Sequence, residues 1–262
     1  MKECIAIINQ KGGVGKSTTS NALGAGLFRK GYRVLYIDLD AQGNLSYSMG
    51  ATGKALTSLE VLTGTATAKE AIIQTPQGDL IPASPALAGA DAIIKDTGKE
   101  YRLKEAIEPL LGDYDYIILD TPPALGVLTI NALTACNSVI IPAQADIYSL
   151  QGIGQLNQTI QTVRKYCNSG LTIKGILATR YNPRAILTRD MTQLLEDTAS
   201  QLNTKLYKSK IRECISLKEA QASQTDIFSY SPRSNAVADY TAFIEEALEA
   251  ETAPRSRAKK AR

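Results

Sequence analysis

Short apolar runs alternate with longer amphipathic stretches along most of the chain. Runs rich in Ile, Val, Leu and Tyr occupy 4–9, 33–38, 79–83, 115–119, 138–142 and 172–178. They show little polar alternation, as expected of strands buried on both faces. Between them, helical periodicity predicts helices over 17–30, 56–63, 68–74, 101–111, 127–135, 151–167, 188–202 and 235–250. Gly31 and Gly112 stand where helices would stop, and Thr121-Pro122-Pro123 and Asn182-Pro183 mark turns after strands. Alternating strands and helices predict an α/β fold, a mostly parallel twisted sheet with helices on both faces. No internal repeat or linker divides the chain, so a single domain over 1–251 is expected, with a low-complexity tail over 252–262.

In sheets of this kind ligands bind at the carboxyl ends of the strands. The first apolar run leads directly into Lys11-Gly12-Gly13-Val14-Gly15-Lys16-Ser17-Thr18. Three glycines leave no Cβ atoms in the way of a polyphosphate, and backbone N–H groups can point at it. A helix opening near Ser17 adds the positive end of its dipole. This is a P-loop: Lys16 reaches the β- and γ-phosphates and the Ser17 hydroxyl ligates Mg²⁺. The general pattern wants Gly at position 10, where this chain has Gln10, and a second lysine, Lys11, follows.

Two further strand ends carry carboxylates. Asp38 and Asp40 follow the run 33–37, and alternate spacing puts them on one side of the strand. Tyr116-Ile117-Ile118-Leu119 ends in Asp120, a Walker B pattern whose carboxylate holds Mg²⁺ through water.

The second lysine makes the loop a deviant Walker A motif, and with it the chain resembles the ParA/MinD family of ATPases, most closely the ParA/Soj-type partition ATPases. The resemblance covers about residues 2–250 and implies the P-loop NTPase fold. It implies ATP and Mg²⁺ as cofactors. ATP would lie on Lys11, Gly12, Gly13, Val14, Gly15, Lys16, Ser17 and Thr18, and Mg²⁺ on Ser17, Asp38 and Asp120. Lys11, Lys16 and Asp40 would be catalytic, with Asp40 orienting the attacking water and Lys11 reaching the nucleotide of a partner subunit. The family motif D-x-D-P-Q-G-N stands here with Ala41 in place of its proline, and Asn131-Ala132-Leu133 continues the second switch. Gln144-Ala145-Asp146 has Asp where relatives usually have Glu, which leaves its dimer contact open. Adenine contacts fall on Asn182, which an Asn-Pro turn explains equally well, and on Ile211 in Lys210-Ile211-Arg212.

Composition narrows the setting. The chain has 262 residues, no His and four scattered Cys, so a Cys/His zinc site and imidazole catalysis are not expected. No apolar run approaches the ~20 residues of a membrane span. The opening Met1-Lys2-Glu3 is no secretion signal, and a cytoplasmic, nucleoid-associated location is expected. The net charge of +3 is uneven, because Arg255, Arg257, Lys259, Lys260 and Arg262 crowd the tail.

The resemblance therefore implies a DNA-partition ATPase. ATP would drive a homodimer onto nonspecific double-stranded DNA, and a ParB-like centromere-binding partner would stimulate slow hydrolysis. Glu245, Glu246, Glu249 and Glu251 and a tail without bulky apolar residues argue against a membrane-binding helix and suit phosphate backbones. Lys205, Lys208, Lys210, Arg212 and Lys218, and Arg180, Arg184 and Arg189, are candidate DNA-facing clusters. A MinD-like membrane-positioning ATPase, a cargo-positioning ATPase using the nucleoid, and a nucleotide-binding regulator without useful hydrolysis remain alternatives.

Overall fold

The computed structural model describes residues 1–183 and 186–252, and the side chains of 1–183 and 190–248. The expected tail over 252–262, except for residue 252, lies outside the described residues, as do the side chains of Arg184 and Arg189.

Seven strands form one sheet: β1 (Glu3–Ile7), β2 (Val34–Asp38), β3 (Ile73–Thr75), β4 (Gly78–Ile81), β5 (Tyr116–Asp120), β6 (Ser138–Gln144) and β7 (Thr172–Thr179). Their order is β3-β4-β2-β5-β1-β6-β7, and all neighbours are parallel except β3 and β4. The helices are α1 (Lys16–Arg29), α2 (Asn44–Ser48), α3 (Ser58–Thr63), α4 (Ala90–Ile93), α5 (Arg102–Ile107), α6 (Val127–Ala135), α7 (Ile147–Tyr166), α8 (Ile186–Gln201), α9 (Ile215–Ala222), α10 (Ile227–Tyr230) and α11 (Asn235–Thr252).

Every strand but β3 divides its side chains between two cores, which explains the missing polar alternation. Leu35, Ile37, Ile117, Leu119, Val139 and Ile141 join a core shared with α3, α5, α6 and α7. Val34, Tyr36, Tyr116, Ile118 and Ile140 join another with α1, α10 and α11. Burying each such side chain contributes about 1.5–3 kcal/mol, so both faces of the sheet must be covered.

Register then places the chemistry. Asp38 pairs with Asp120, and Asp120 with Ile7, so three strands end level beside the loop that leads into α1. Both carboxylates lie on the α1 side, because they share parity with Tyr36 and Ile118.

The structure corrects two expected helices. Residues 68–71 make only a turn, in which the Thr67 amide and hydroxyl donate to the Glu70 carboxylate at 2.9 and 2.7 Å. Residues 73–75 are β3, antiparallel to β4. The β-branched Ile72 and Ile73, and Pro76, which drives Thr75 into extended backbone, stop the helix. The expected helix over 101–111 is broken into a 3₁₀ turn at Lys99–Tyr101, α5, and a second 3₁₀ turn at Glu108–Leu110 that contains Pro109. The short helices α2, α4, α9 and α10 have too few turns to show a period.

Helix α1 sits unusually close to the sheet. A Cβ on Gly24 would lie 2.2 Å from the Tyr36 ring. Tyr36 is fully buried and tethered through its hydroxyl to the Gln77 carbonyl at 3.2 Å, so it has nowhere to move. Gly24→Ala gains up to ~1 kcal/mol in helix propensity but meets overpacking of ~1–3 kcal/mol. Urea denaturation is expected to show net destabilisation; a stabilised variant would mean that α1 is free to shift.

Candidate active site

The loop between β1 and α1 is held from behind by three strand ends. Asn9, fully buried, donates to the Pro142 carbonyl at 2.7 Å and accepts from the Lys11 amide at 2.9 Å. Thr179, the last residue of β7, donates to the Val14 carbonyl at 2.8 Å. Gln144, the last of β6, donates to the Gly13 carbonyl at 3.2 Å. These anchors hold backbone that no side chain fills: a Cβ on Gly12, Gly13 or Gly15 would meet nothing within 4 Å. Gly15 has φ +87°, a left-handed conformation that glycine adopts without strain. Helix α1 has no side-chain cap and no acidic residue in its first turn, so its first amides are open to an anion.

The glycines open onto a cavity of about 580 Å³. Lys16, Ser17 and Thr18 form its floor, Asp40, Gln42 and Tyr47 one wall, and Ile211, Leu217, Lys218 and Gln221 the other. Lys16 is 7 % exposed, and its Nζ donates to the Lys11 carbonyl at 3.1 Å. Burial lowers its pKa, while Asp120 and Asp40 pull it back up. Gln221 donates to Thr18 Oγ1 at 2.9 Å, tying α9 to the loop.

The carboxylates have distinct surroundings. Asp38 is fully buried and accepts from the Ser46 amide at 2.9 Å, the Ser46 hydroxyl at 2.7 Å and the Asp40 amide at 3.1 Å, so it pins the segment that carries Asp40. Asp40 lines the cavity and accepts from the Gln42 amide at 3.0 Å. Asp120 Oδ1 accepts from Ser20 at 3.0 Å, whereas its Oδ2 is buried without a hydrogen-bond partner. Burial, then repulsion from Asp38, pushes the Asp120 pKa up to about 8. Burial raises Asp38 to about 6 against the pull of its hydrogen bonds. An orphaned carboxylate oxygen beside a lysine, two serines and an open glycine cradle fits a divalent cation carried in on a polyphosphate. Among the described residues no group of three or more His, Cys, Asp or Glu could hold a metal alone, so the polyphosphate would supply the remaining oxygens.

Lys11 stands apart from the cavity. Its Nζ donates to Asp146 Oδ2 at 2.5 Å and to Gln144 Oε1 at 3.2 Å, on the outer side of the loop. Asp146, despite being one methylene shorter than Glu, reaches it within the same chain. Partial burial works against that carboxylate's charge, but the Lys11 hydrogen bond and charge, together with the Ser149 and Tyr148 amides, outweigh it and its pKa falls. Of the two adenine candidates, Ile211 lines the cavity, whereas Asn182 is exposed and outside its lining. Much of the basic cluster is internally paired. Arg212 binds Asp239 through two nitrogens at 2.6–3.2 Å, Lys205 lies 3.8 Å from Glu246 and Arg180 3.6 Å from Glu213.

The sequence reading missed Asn9, Ser46, Thr179 and Gln221. Asn9 and Thr179 sit at carboxyl ends of strands, the same signal that picked out the aspartates. Ser46 and Gln221 act from short helices with no signature of their own.

A family model for an AAA domain matches residues 2–173. The chain is 41% identical to the sporulation initiation inhibitor protein Soj of Bacillus subtilis, over 94% of this chain and 98% of that one. It is 35% identical to the chromosome partitioning protein ParA of Myxococcus xanthus, over 97% and 91%. The structure of cobyrinic acid a,c-diamide synthase from Mycobacterium smegmatis with bound ATP analog and magnesium superposes with a TM-score of 0.84 at 35% identity, covering 97% and 98%. The chain belongs to the ParA/Soj-type P-loop ATPases.

The raised carboxylates make the free protein sensitive to pH. Their folded pKa values lie above the unfolded value near 4, so the stability they contribute is full below about pH 4 and is lost as pH rises through about 8. Asp120→Asn carries no such charge. Without nucleotide or Mg²⁺, its melting temperature relative to wild type is expected to rise by ~3 °C or more between about pH 5.5 and 8.5. Parallel pH profiles would mean that Asp120 is not the carboxylate that burial keeps protonated.

Proposed function

We propose that the chain is a DNA-partition ATPase in which ATP assembles a homodimer that binds double-stranded DNA without sequence preference. Hydrolysis, slow alone and stimulated by a ParB-like partner, resets it. The observation that carries this reading is the position of Lys11. One lysine, Lys16, serves the chain's own cavity; the second points outward, away from that cavity, onto Asp146. A cation in the phosphate loop that does not face its own phosphates supports a role at another subunit's nucleotide.

Within this reading, residues 1–251 are one ATPase unit and 252–262 a basic appendage. ATP lies on Gly12 to Thr18, its base toward Ile211 with Asn182 at the margin. Ser17 and Asp120 would hold Mg²⁺, which would neutralise the phosphates; Asp38 contributes by fixing the segment that leads to Asp40. Asp40 orients water, and Lys16 with the partner's Lys11 offsets the charge that builds on the phosphates. Phosphoryl transfer needs positioning and charge neutralisation more than covalent chemistry. A site completed by a second copy makes turnover depend on assembly, which suits a switch. The internal pairing of Arg212, Lys205 and Arg180, and the place of Lys218 in the cavity wall, shift the expected DNA contacts toward Lys208, Lys210 and the tail. The absence, among the described residues, of a helix long and apolar enough to cross a membrane is compatible with a DNA matrix.

Duplex DNA binding of wild type and Asp40→Ala, with ATP, with ADP and without nucleotide, at two salt concentrations, tests the reading. The expectation is sequence-independent, salt-sensitive binding that needs ATP and that Asp40→Ala prolongs. Binding regardless of nucleotide, or none under any condition, would sink it. Removing residues 252–262 should weaken binding and flatten its salt dependence by about one logarithmic unit per lost phosphate contact; an unchanged slope would take the tail out of the interface.

A further inference from the structure

Arg180 follows the last residue of β7 directly and has φ +49°. For a residue with a long side chain this left-handed conformation costs roughly 1–2 kcal/mol, and such outliers concentrate where geometry matters to function. Its neighbour Thr179 is bolted to the P-loop through Val14. The backbone therefore leaves the strand and turns, and the guanidinium comes to rest over the loop. There Nη1 is 3.5 Å from the Gly13 carbonyl and Nη2 is 3.6 Å from Glu213 Oε1.

Neither contact accounts for the strain. The Gly13 carbonyl already accepts from Gln144. The Glu213 pair is long and both side chains are about half exposed, 46% and 62%, so it contributes little. Arg212 next to Glu213 shows what a fixed arginine looks like here, bound through two nitrogens to a carboxylate that is 11% exposed. Arg180 is a loosely held cation at the mouth of the phosphate site, lining both the main cavity and an adjoining cleft of about 330 Å³ with Gln144, Asp146 and Glu213.

Which phosphate it faces follows from the loop. The loop amides and the α1 N-terminus cradle the inner phosphates, and Lys16 reaches past them to the β- and γ-phosphates. Lys16 Nζ rests 3.1 Å from the Lys11 carbonyl, so the terminal phosphate it reaches comes to lie toward Lys11 to Gly13. We propose that Arg180 is a sensor of that terminal phosphate: with a nucleoside triphosphate seated, its guanidinium leaves Glu213 and donates to the terminal phosphate oxygens. Glu213 is the competing anion that holds it back when only a diphosphate is present. The inference rests on the ATPase reading and adds a residue that separates ATP from ADP. A guanidinium suits this exchange because its planar donors match carboxylate and phosphate alike.

The test is equilibrium titration of the full-length protein, in Mg²⁺, with a fluorescent slowly hydrolysed ATP analogue and with fluorescent ADP. Arg180→Gly removes the guanidinium while suiting the left-handed backbone, so misfolding is not expected to cloud the result. It should weaken the ATP analogue about tenfold or more, the equivalent of one charge-assisted hydrogen bond, and ADP less than about twofold. Arg180→Lys should fall between the two, and Glu213→Gln should tighten the ATP analogue, a gain that a merely structural pair would not produce. Equal weakening of both nucleotides, no change in either, or a Glu213→Gln variant that binds the ATP analogue less well overturns the assignment. A wild type that binds neither nucleotide removes the ATPase reading and the sensor with it; a wild type that binds both alongside unaltered variants removes only the sensor.

Discussion

Two carboxylates side by side at the carboxyl ends of two central strands, out of water, set the terms for the rest of this molecule. Register makes Asp38 and Asp120 partners on neighbouring strands, and such strands lie about 4.8 Å apart. Unit charges about 5 Å apart repel by roughly 3 kcal/mol at an effective dielectric of 20. The structure relieves this unevenly. Asp38 collects three hydrogen bonds and becomes structural, while Asp120 keeps one oxygen without a partner. Lys16, the nearby cation, donates to a loop carbonyl at this stage. In the free protein a proton on Asp120 relieves the repulsion, and a divalent cation brought by a polyphosphate would take that proton's place.

Around that centre the cations stand in order of increasing freedom. Lys16 is buried and faces inward. Lys11 is held on the outer flank by Asp146, and Arg180 lies across the loop mouth on two long contacts. Each is restrained by a partner that a phosphate group could replace. Binding energy from the nucleotide can therefore do more than hold it: it can redistribute three side chains. Through Gln221 on Thr18 and Gln77 between Asn21 and the Ser48 carbonyl, the same loop is linked to α9, α2 and the β3–β4 hairpin.

The sheet, its parallel sense and the phosphate loop were legible because their signals are local: apolar runs, glycine spacing, and carboxylates at strand ends. The hairpin at 73–81 was not, because Thr67 to Glu70 begins a helical turn that the later β-branched residues and Pro76 cancel. Asp40 and Asp120 lie where the motifs put them, whereas the bonds that saturate Asp38 come from Ser46, on a helix too short to announce itself. Asn182, a motif match, lies outside the cavity lining, at the margin of the proposed base site. Charge counting could not show that Arg212 and Lys205 have carboxylate partners 27 and 41 positions away along the chain.

The central claim is that one subunit's Lys11 completes the other's site, and mixed dimers test it most directly. Lys11→Ala and Asp40→Ala are each expected to hydrolyse ATP poorly alone, with duplex DNA present. Mixed in equal amounts, they form dimers in which the Lys11→Ala subunit keeps its own Lys16 and Asp40 and receives Lys11 from its partner. The account predicts that the mixture hydrolyses ATP well above the sum of the two variants. A mixture no faster than that sum would contradict it and return Lys11 to the service of its own chain.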